Sequence, residues 1–444
     1  MMPLDRSLSA SGHNKKVAWM AAELRMGHIG SVSGPTLEDA IDALARDVHP
    51  AISAVRAEPH RIIPTGVGLS ELWMVISRVI LASAAFEAAQ QAVREDSVLG
   101  PVDRDGQVYT ETTFGSGGPL LATTLPLELV EAACMELLVC GRDLTADTLA
   151  HASIENVRKL RAALAGDEIQ GWCVIAFGAL PSQTGTLVQT PWGDLVGADR
   201  LTGEIWNDPP FLCTAVLATP APMKLEVSAS PQPPTGTFGM KVHRIAQLVS
   251  YGIALGSNRD DPATAVPLHV GELPPWGAHG WGGEVRSPGI TSRSTPLTSA
   301  ETEKAGRWMT DLDAVQVDRI EVALRRLVRG LAERTDHTDQ LIDAVIAWEN
   351  LVEHRAQPTG SVIWGMRQLA GPAGWSRTRI EKVYETRSDV VHGEQPDHAQ
   401  IRERAPQALK IGLDALRALI DDHGDTLSMS SEERVIALGY SMPG

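Results

Sequence analysis

Hydrophobic positions recur at helical spacing over the first third of the chain. The stretches TLEDAIDALARDVHPAISAVRA and LSELWMVISRVILASAAFEAAQQAVRE are rich in alanine and leucine, and Thr36 and Ser70 stand where helix N-caps are expected. The helical pattern continues through LPLELVEAACMELLVC and DTLAHASIENVRKLRAALAG, and Gly166 is placed to end the second of these. The pattern therefore predicts an N-terminal helical region over residues 1–166.

The hydrophobic period changes between residues 168 and 228. The segments GWCVIAFGAL, GTLVQTPWGDLVGA and FLCTAVLATPAPMKLEV are short, rich in β-forming residues and separated by Gly and Pro, which predicts strands of a small sheet. One helix is expected over GMKVHRIAQLVSYGIALG. The residues from Asn258 to Ser299 are dense in Gly, Pro and Ser and favour an irregular segment. We expect residues 167–295 to form a small β-containing middle domain.

Helical periodicity returns near Pro296 and continues to the end of the chain. In EVALRRLVRGLAERT the apolar residues fall near one stripe, and about four further amphipathic segments follow with short connections. Residues 296–444 are therefore predicted to form an all-α helical bundle, with no strand between residues 316 and 392. Pro406 is expected to kink the last long helix or to mark its start. The complete prediction is an α+β protein.

Composition narrows the functional classes. The 444 residues carry a net charge of −16, which excludes non-specific coating of nucleic acid but leaves a local cationic cleft open. None of the four cysteines forms a CxxC pair, so we expect free thiols in a reducing cytoplasm. The N-terminal residues lack an apolar leader core. The longest apolar run contains Arg78 and is shorter than a bilayer, so no membrane association is expected.

Common catalytic and cofactor motifs are absent from the sequence. No GxSxG, HExxH or GxGxxG element occurs, and the glycine-rich FGSGGPL is not followed by Lys-Ser/Thr, so it predicts a turn. The histidines in GAHGWGG and VHPAISAV lack the spacing of metal ligands. We expect no cofactor and no metal ion.

The stretch YETRSDVVHGEQPD raises a question of geometry. Arg387 precedes His392 by five residues, which on a helix correspond to about 500° of rotation, or 140° net, so the two side chains do not share a face. Gly393 follows the histidine directly, which predicts that the helix ends there. From spacing alone, His392 is an exposed helix end and Arg387 forms salt bridges with Glu381 or Glu385.

Glu349 is a second candidate, because it follows a tryptophan on the apolar helix segment AVIAWENL. Two interpretations stay open from the sequence. The carboxylate lies at the exposed rim of the bundle, or it is buried and paired with a cation such as an arginine of the bundle.

The segment YETRSDVVHG resembles the R-x4-6-H signature of the HEPN superfamily, in the form typical of its Apea-like branch. The upstream QLIDAVIAWENLV is similar to a helix of that branch, and the strands TPWGDLVGAD and CTAVLATP resemble the β-containing region that often precedes the bundle. The resemblance covers roughly residues 170–425. No relative is suggested for the first 165 residues.

This resemblance implies a metal-independent endoribonuclease in which Arg387 and His392 are the catalytic pair. Two bundles of a homodimer would bring two such pairs into one cleft that binds RNA, and the product would carry a 2′,3′-cyclic phosphate. Ser388 and Glu349 are candidate supporting residues. The family suggests a role in bacterial, anti-phage defence or in stress, with the N-terminal region sensing a signal or restraining the nuclease.

A second hypothesis is a catalytically inactive HEPN scaffold or regulatory protein that dimerises through the bundle. Ser388 occupies the position where many nuclease members have Asn, Asp or His. Residues 297–444 contain 18 Lys and Arg against 24 Asp and Glu, so an RNA site would be a local positive region in a negative field.

Overall fold

The computed structural model describes most of the chain, in eleven segments. The ranges are 35–57, 76–100, 108–109, 119–121, 123–180, 185–197, 214–223, 237–276, 296–314, 317–394 and 397–441. Helices lie toward both ends of the chain and a small antiparallel sheet lies between them, which confirms the α+β prediction.

Four long helices of the N-terminal region pack together. They are α1 (Leu37–Ala57), α2 (Ala84–Glu95), α3 (Leu125–Val139) and α4 (Ala146–Leu164). Thr36 caps α1 as predicted, because its hydroxyl accepts from the backbone N–H of Asp39. Gly166 adopts a φ of 93° just beyond α4, also as predicted. Ser70 and the glycines of FGSGGPL lie outside the described residues.

The second predicted helical stretch is interrupted rather than continuous. Its first helix ends before Ser83, whose hydroxyl accepts from the backbone N–H of Ala85 and so begins α2. The same hydroxyl donates to Asp47 of α1 at 2.6 Å. Two short strands, β1 (Val108–Tyr109) and β2 (Pro119–Leu120), pair between α2 and α3.

Five strands form the main sheet in the order β4-β5-β6-β3-β7. Their bounds are β3 (Ile169–Gly178), β4 (Gly185–Thr190), β5 (Gly193–Gly197), β6 (Ala215–Met223) and β7 (Val266–Leu273). All neighbouring pairs are antiparallel, and β3 lies between β6 and β7, with Cys173 to Phe177 fully buried. The three predicted strand segments therefore supply four of the five strands, β3 to β6.

The prediction of an irregular segment after Asn258 is wrong for β7. This strand pairs with β3 from Val266↔Gly178 to Leu273↔Trp172, and the register shifts at Phe177, opposite Pro267. A strand at the edge of a sheet tolerates a proline because its second row of backbone groups has no partner strand. Pro220 and Pro222 follow the same rule, since β5 pairs only with the first residues of β6.

Two helices connect the sheet to the bundle, α5 (Thr237–Gly256) and α6 (Ser299–Ala314). One side of each helix joins the core shared by the sheet and the N-terminal helices, and the other side joins the core of the bundle. The two helices approach closely at Gly252 and Gly256. A Cβ atom at Gly256 would lie 2.7 Å from the backbone nitrogen of Ala305. These glycines permit the contact because they have no side chain.

The remaining helices form the bundle around a central helix, α8. Their bounds are α7 (Glu321–Ala332), α8 (His337–Val352), α9 (Pro358–Ala370), α10 (Arg377–Val391), α11 (His398–Asp422) and α12 (Ser431–Ala437). Helix α8 contacts each of the other five. No strand occurs in residues 317–394, as expected. Pro406 lies within α11 and does not mark its start.

A partly buried arginine joins the bundle to α5. Arg417 of α11 donates to the carbonyl oxygens of Leu255 at 2.8 Å, Ala254 at 3.2 Å and Ser257 at 2.6 Å, which lie at the C-terminal end of α5. Burial lowers the pKa of Arg417, and Asp414, at 2.6 Å, favours its charged form.

The division into regions 1–166, 167–295 and 296–444 stays a prediction. Among the described helices, none is long and apolar enough to cross a bilayer.

We predict that Gly256→Ala destabilises the protein by about 1–3 kcal/mol, because the new methyl group requires the backbone of α6 to move. Urea unfolding followed by circular dichroism measures the change. Gly424→Ala is the matched control, since no atom lies within 4 Å of the Cβ position there. Equal unfolding midpoints for the two variants would show that the α5–α6 contact is not tight.

Candidate functional site at the end of α10

The end of α10 is fixed by a hydrogen-bonded cap. His392 is the C-cap residue, and Gly393 follows with a φ of 80°. The backbone N–H of Gly393 donates to Val390, and that of Glu394 donates to Asp389 at 2.9 Å, which is the Schellman arrangement. The sequence prediction that the helix ends at His392 is confirmed. The histidine therefore stands at a defined exposed position, on backbone that the cap holds in place.

Arg387 and His392 have different surroundings. The Arg387 side chain is 20% exposed and reaches toward α8, whereas His392 is exposed at the helix end. Within the described part of the chain, no group hydrogen-bonds to the imidazole of His392. One helix thus presents the two side chains on different faces, as the 140° rotation requires.

Glu349 is the partner of Arg387. Its Oε2 atom lies 3.2 Å from Nη2 of Arg387, and its side chain is 18% exposed. The neighbouring Trp348 is fully buried and donates from Nε1 to the carbonyl oxygen of Ala408 in α11, so α8 is held with Glu349 facing α10. Of the two interpretations left open by the sequence, the structure favours the paired carboxylate. The predicted salt bridges from Arg387 to Glu381 or Glu385 are replaced by this contact.

Tyr384 completes a cluster of three side chains. Its hydroxyl donates to Oε1 of Glu349 at 3.3 Å, so the two carboxylate oxygens accept from two residues of α10. Tyr384 stands three residues before Arg387, a spacing that places both on one helix face. This three-residue spacing is visible in the sequence, where Tyr384 opens the motif segment, but the spacing alone does not predict that Tyr384 contacts Glu349.

The cluster leaves one hydrogen-bond donor of Arg387 without an acceptor among the described residues. Its Nε atom is buried and has no hydrogen-bond partner among the described residues. A buried donor without a partner is unfavourable by about 1–3 kcal/mol. The guanidinium therefore retains donor capacity for a further oxygen acceptor, provided that the neighbouring side chains move to admit one.

Burial and the Arg387 cation act in opposite directions on the pKa of Glu349. Burial raises the pKa of the Glu349 carboxyl, the Arg387 cation acts in the opposite direction, and nearby Glu353 raises the pKa further. Burial also raises the pKa of Tyr384, and the negative charge of Glu349 adds to that effect. The carboxylate of Glu349 is thus held by Arg387 in surroundings that disfavour its charge.

Another arginine fixes the end of α8 that follows Glu349. Arg434 of α12 is fully buried and donates to the carbonyl oxygens of Leu351 and Met429, each at 2.7 Å. Burial lowers the pKa of Arg434 to about 10. Because these acceptors include an orphan carbonyl of α8, the C-terminal helix secures the backbone on which Glu349 stands.

Ser388 does not join the cluster. Its side chain is half-buried, and its hydroxyl makes no hydrogen bond to any described residue, while its carbonyl oxygen accepts from the backbone of His392. Among the described residues, no group of three or more His, Cys, Asp or Glu side chains is arranged to bind a metal ion.

Comparison with known proteins adds no relative. No protein family, curated protein or solved structure matches this chain. The resemblance to the HEPN superfamily therefore rests on the motif segment YETRSDVVHG, the helix segment QLIDAVIAWENLV and the two strand segments TPWGDLVGAD and CTAVLATP.

We predict opposite pH dependences for two carboxyl groups, the partly buried Glu349 and the buried Glu301. Because the pKa of Glu349 is raised on folding, its contribution to stability is present below the ordinary value of about 4.3 and is lost as the pH rises through the folded value. Relative to Glu349→Gln, which does not titrate, the wild-type protein should lose stability as the pH rises from about 4 toward neutrality. Thermal unfolding of both proteins across this range measures the difference.

Glu301 provides the opposite case. Burial raises its pKa, but hydrogen bonds from Arg259, Thr298 and Ser257 together outweigh burial and lower it to about 2. Relative to Glu301→Gln, the wild-type protein should lose stability as the pH falls from about 4 toward 2. The same sign of pH dependence in both comparisons would contradict the description of the Glu349 site.

Proposed function

We propose that the C-terminal bundle is a metal-independent endoribonuclease of the HEPN type. The observation that carries the proposal is the end of α10, where the motif histidine is exposed on a fixed helix cap and the motif arginine has unused donor capacity. An imidazole accessible to substrate can transfer protons, and a guanidinium able to bind a phosphate can stabilise its added charge, so this pair suits RNA transesterification.

The proposed reaction needs no water and no metal ion. The ribose 2′-OH attacks the adjacent phosphorus, the bond from phosphorus to the 5′-oxygen breaks, and the products are a 2′,3′-cyclic phosphate and a 5′-hydroxyl. His392 moves the proton from the 2′-OH toward the departing 5′-oxygen, because one imidazole nitrogen can accept a proton while the other donates one. Arg387 donates to the phosphate oxygens and stabilises the added negative charge in the transition state.

Glu349 gives this site a resident counter-ion. Its carboxylate occupies one end of the Arg387 guanidinium at 3.2 Å, which a phosphate oxygen would also have to approach. A substrate phosphate therefore displaces Glu349 or shares the guanidinium with it. Since burial already disfavours the charged carboxyl, its protonation on release from Arg387 offsets part of the energy of displacement.

The two catalytic side chains diverge on one helix, so we propose that a second copy of the chain completes the site. Val391, immediately before His392, is an exposed apolar side chain at the position where the partner's α10 would pack. In a two-fold dimer the same surface of each chain contacts the other, which brings two copies of the motif together. Its interface should bury more than about 1,000 Å² in total.

The inactive scaffold stays a second candidate, and two observations favour it. Arg387 is already paired within its own chain, and Ser388 contributes no hydrogen bond to the cluster. In that case the bundle would dimerise without cleaving RNA.

The setting we propose for the nuclease is bacterial defence or stress, and it is supported by the motif resemblance alone.

We predict that His392→Ala lowers the rate of RNA cleavage by roughly 10²–10⁴-fold, because it removes proton transfer. Arg387→Ala should lower the rate by about 10²–10³-fold. Arg387→Lys should restore little, since an ammonium does not bind two phosphate oxygens as a guanidinium fork does. The assay uses labelled RNA, with the product ends examined for a cyclic phosphate.

Two matched controls test whether the effects belong to the motif. His398→Ala and Arg379→Ala change exposed residues of the same types near α10, and both should retain wild-type rates. EDTA should leave cleavage intact. Full activity of His392→Ala, or loss of activity with EDTA, would refute the proposed mechanism. A dimer with no cleavage of any RNA would support the scaffold.

We also predict that Val391→Glu converts a dimer into a monomer and abolishes cleavage, because it places a carboxylate in the proposed interface. Ile436→Glu is the matched control: Ile436 is 52% exposed and Val391 51%, but Ile436 lies on α12. Sedimentation velocity at micromolar concentration reports the assembly state. An active monomer would contradict the composite site.

A further inference from the structure

A cleft outside the bundle is lined by the outer face of α4, the turn that follows α3 and the first residues of β3. Its volume is about 870 Å³, within the roughly 300–1,000 Å³ of small-molecule sites. The cleft is independent of the α10 site, since none of its lining residues belongs to the bundle. Its chemistry is concentrated around Trp172, which stands half-buried near the start of β3.

Two cations and one carboxylate surround this end of the cleft. The Arg142 guanidinium carbon lies 5.8 Å from the centroid of the Trp172 ring. Nη1 of Arg142 and Nζ of Lys159 lie 3.5 Å and 3.9 Å from the two carboxylate oxygens of Glu136. Both distances are long for ion pairs, because hydrogen bonds between charged groups normally measure about 2.7–2.9 Å. Neither cation is fully bound, and the group carries a net charge of +1.

The other charged side chains of the cleft form ion pairs of their own. Asp147 pairs with Arg46 at 2.5 Å, and Glu155 pairs with Arg158 at 3.3 Å. The excess positive charge therefore remains beside Trp172. An anion bound there would replace two loose contacts to Glu136 with shorter bonds to Arg142 and Lys159.

Two further polar side chains line the same cleft. The side chains of His151 and Gln170 line the cleft, and neither has a hydrogen-bond partner in the portion of the chain that the structure describes. An amide and an imidazole both donate and accept hydrogen bonds, which suits the edge of a heterocyclic base. An indole face suits stacking with such a base.

We propose that this cleft binds a mononucleotide, with the phosphate between Arg142 and Lys159 and the base against Trp172. A phosphate monoester carries close to two negative charges at neutral pH and so exceeds the residual +1, which favours contact with both cations. A guanidinium beside an ammonium is suited to phosphate, because the planar fork binds two oxygens while the ammonium acts as a point charge.

The test is calorimetric titration of the full chain with AMP, GMP, CMP and UMP, alongside adenosine and inorganic phosphate. At least one nucleotide should bind, and adenosine and phosphate should each bind at least about tenfold more weakly, since each supplies one half of the contacts. Arg142→Ala should weaken nucleotide binding roughly tenfold or more. Arg329→Ala, an exposed arginine paired with Glu333 on α7, is the matched control and should leave binding unchanged.

Glu136→Gln separates a binding role from a loss of folding. Removing the resident carboxylate raises the local net charge and frees both cations, so this variant should bind the nucleotide more tightly than the wild type by several-fold. Destabilisation alone would not strengthen binding. Absence of binding at millimolar nucleotide, equal affinity for inorganic phosphate and AMP, or equal effects of Arg142→Ala and Arg329→Ala would overturn the proposal.

Discussion

The contact between Arg417 and the C-terminal end of α5 is the interaction on which the arrangement of the two cores depends. A guanidinium buried without acceptors would be unfavourable by several kcal/mol, and the last carbonyl groups of a helix need donors. The Arg417 guanidinium therefore gains acceptors, and the carbonyl oxygens at the end of α5 gain donors. Asp414 accepts a hydrogen bond from Arg417 and a second one from Nε1 of Trp375. Because Trp375 lies in the segment before α10, these bonds also link that segment to α11.

The same solution recurs where α12 meets α8. Arg434 donates to carbonyl groups at the end of α8, one or two residues beyond Glu349. The C-terminal ends of α5 and α8 are thus fixed by arginines that come from distant parts of the chain. The candidate site benefits from this arrangement, because α8 and α10 are each held near the residues that bear chemistry, and the charged cluster itself does not have to provide the packing energy.

Local features were predictable from the sequence, whereas contacts between distant segments were not. The ends of α4 and α10 follow from Gly166 and Gly393, because a left-handed residue after a helix favours glycine. Strand β7 was missed because Pro267 and Gly271 interrupt the alternation of polar and apolar residues, and an edge strand tolerates them. The partnership of Glu349 with Arg387 joins residues 38 positions apart. The sequence offered an arginine partner only as one of two alternatives.

The path of the chain through α5 and β7 has a consequence for how this protein can be divided. Leu248, Tyr251 and Leu255 of α5 belong to the bundle core, and the following strand returns to the sheet before α6 again contacts both cores. A fragment beginning at residue 296 would therefore carry an uncovered apolar surface where α5 lies in the whole chain. The bundle and the sheet are consequently not interchangeable modules, and an evolutionary exchange of either would have to carry α5 and α6 with it.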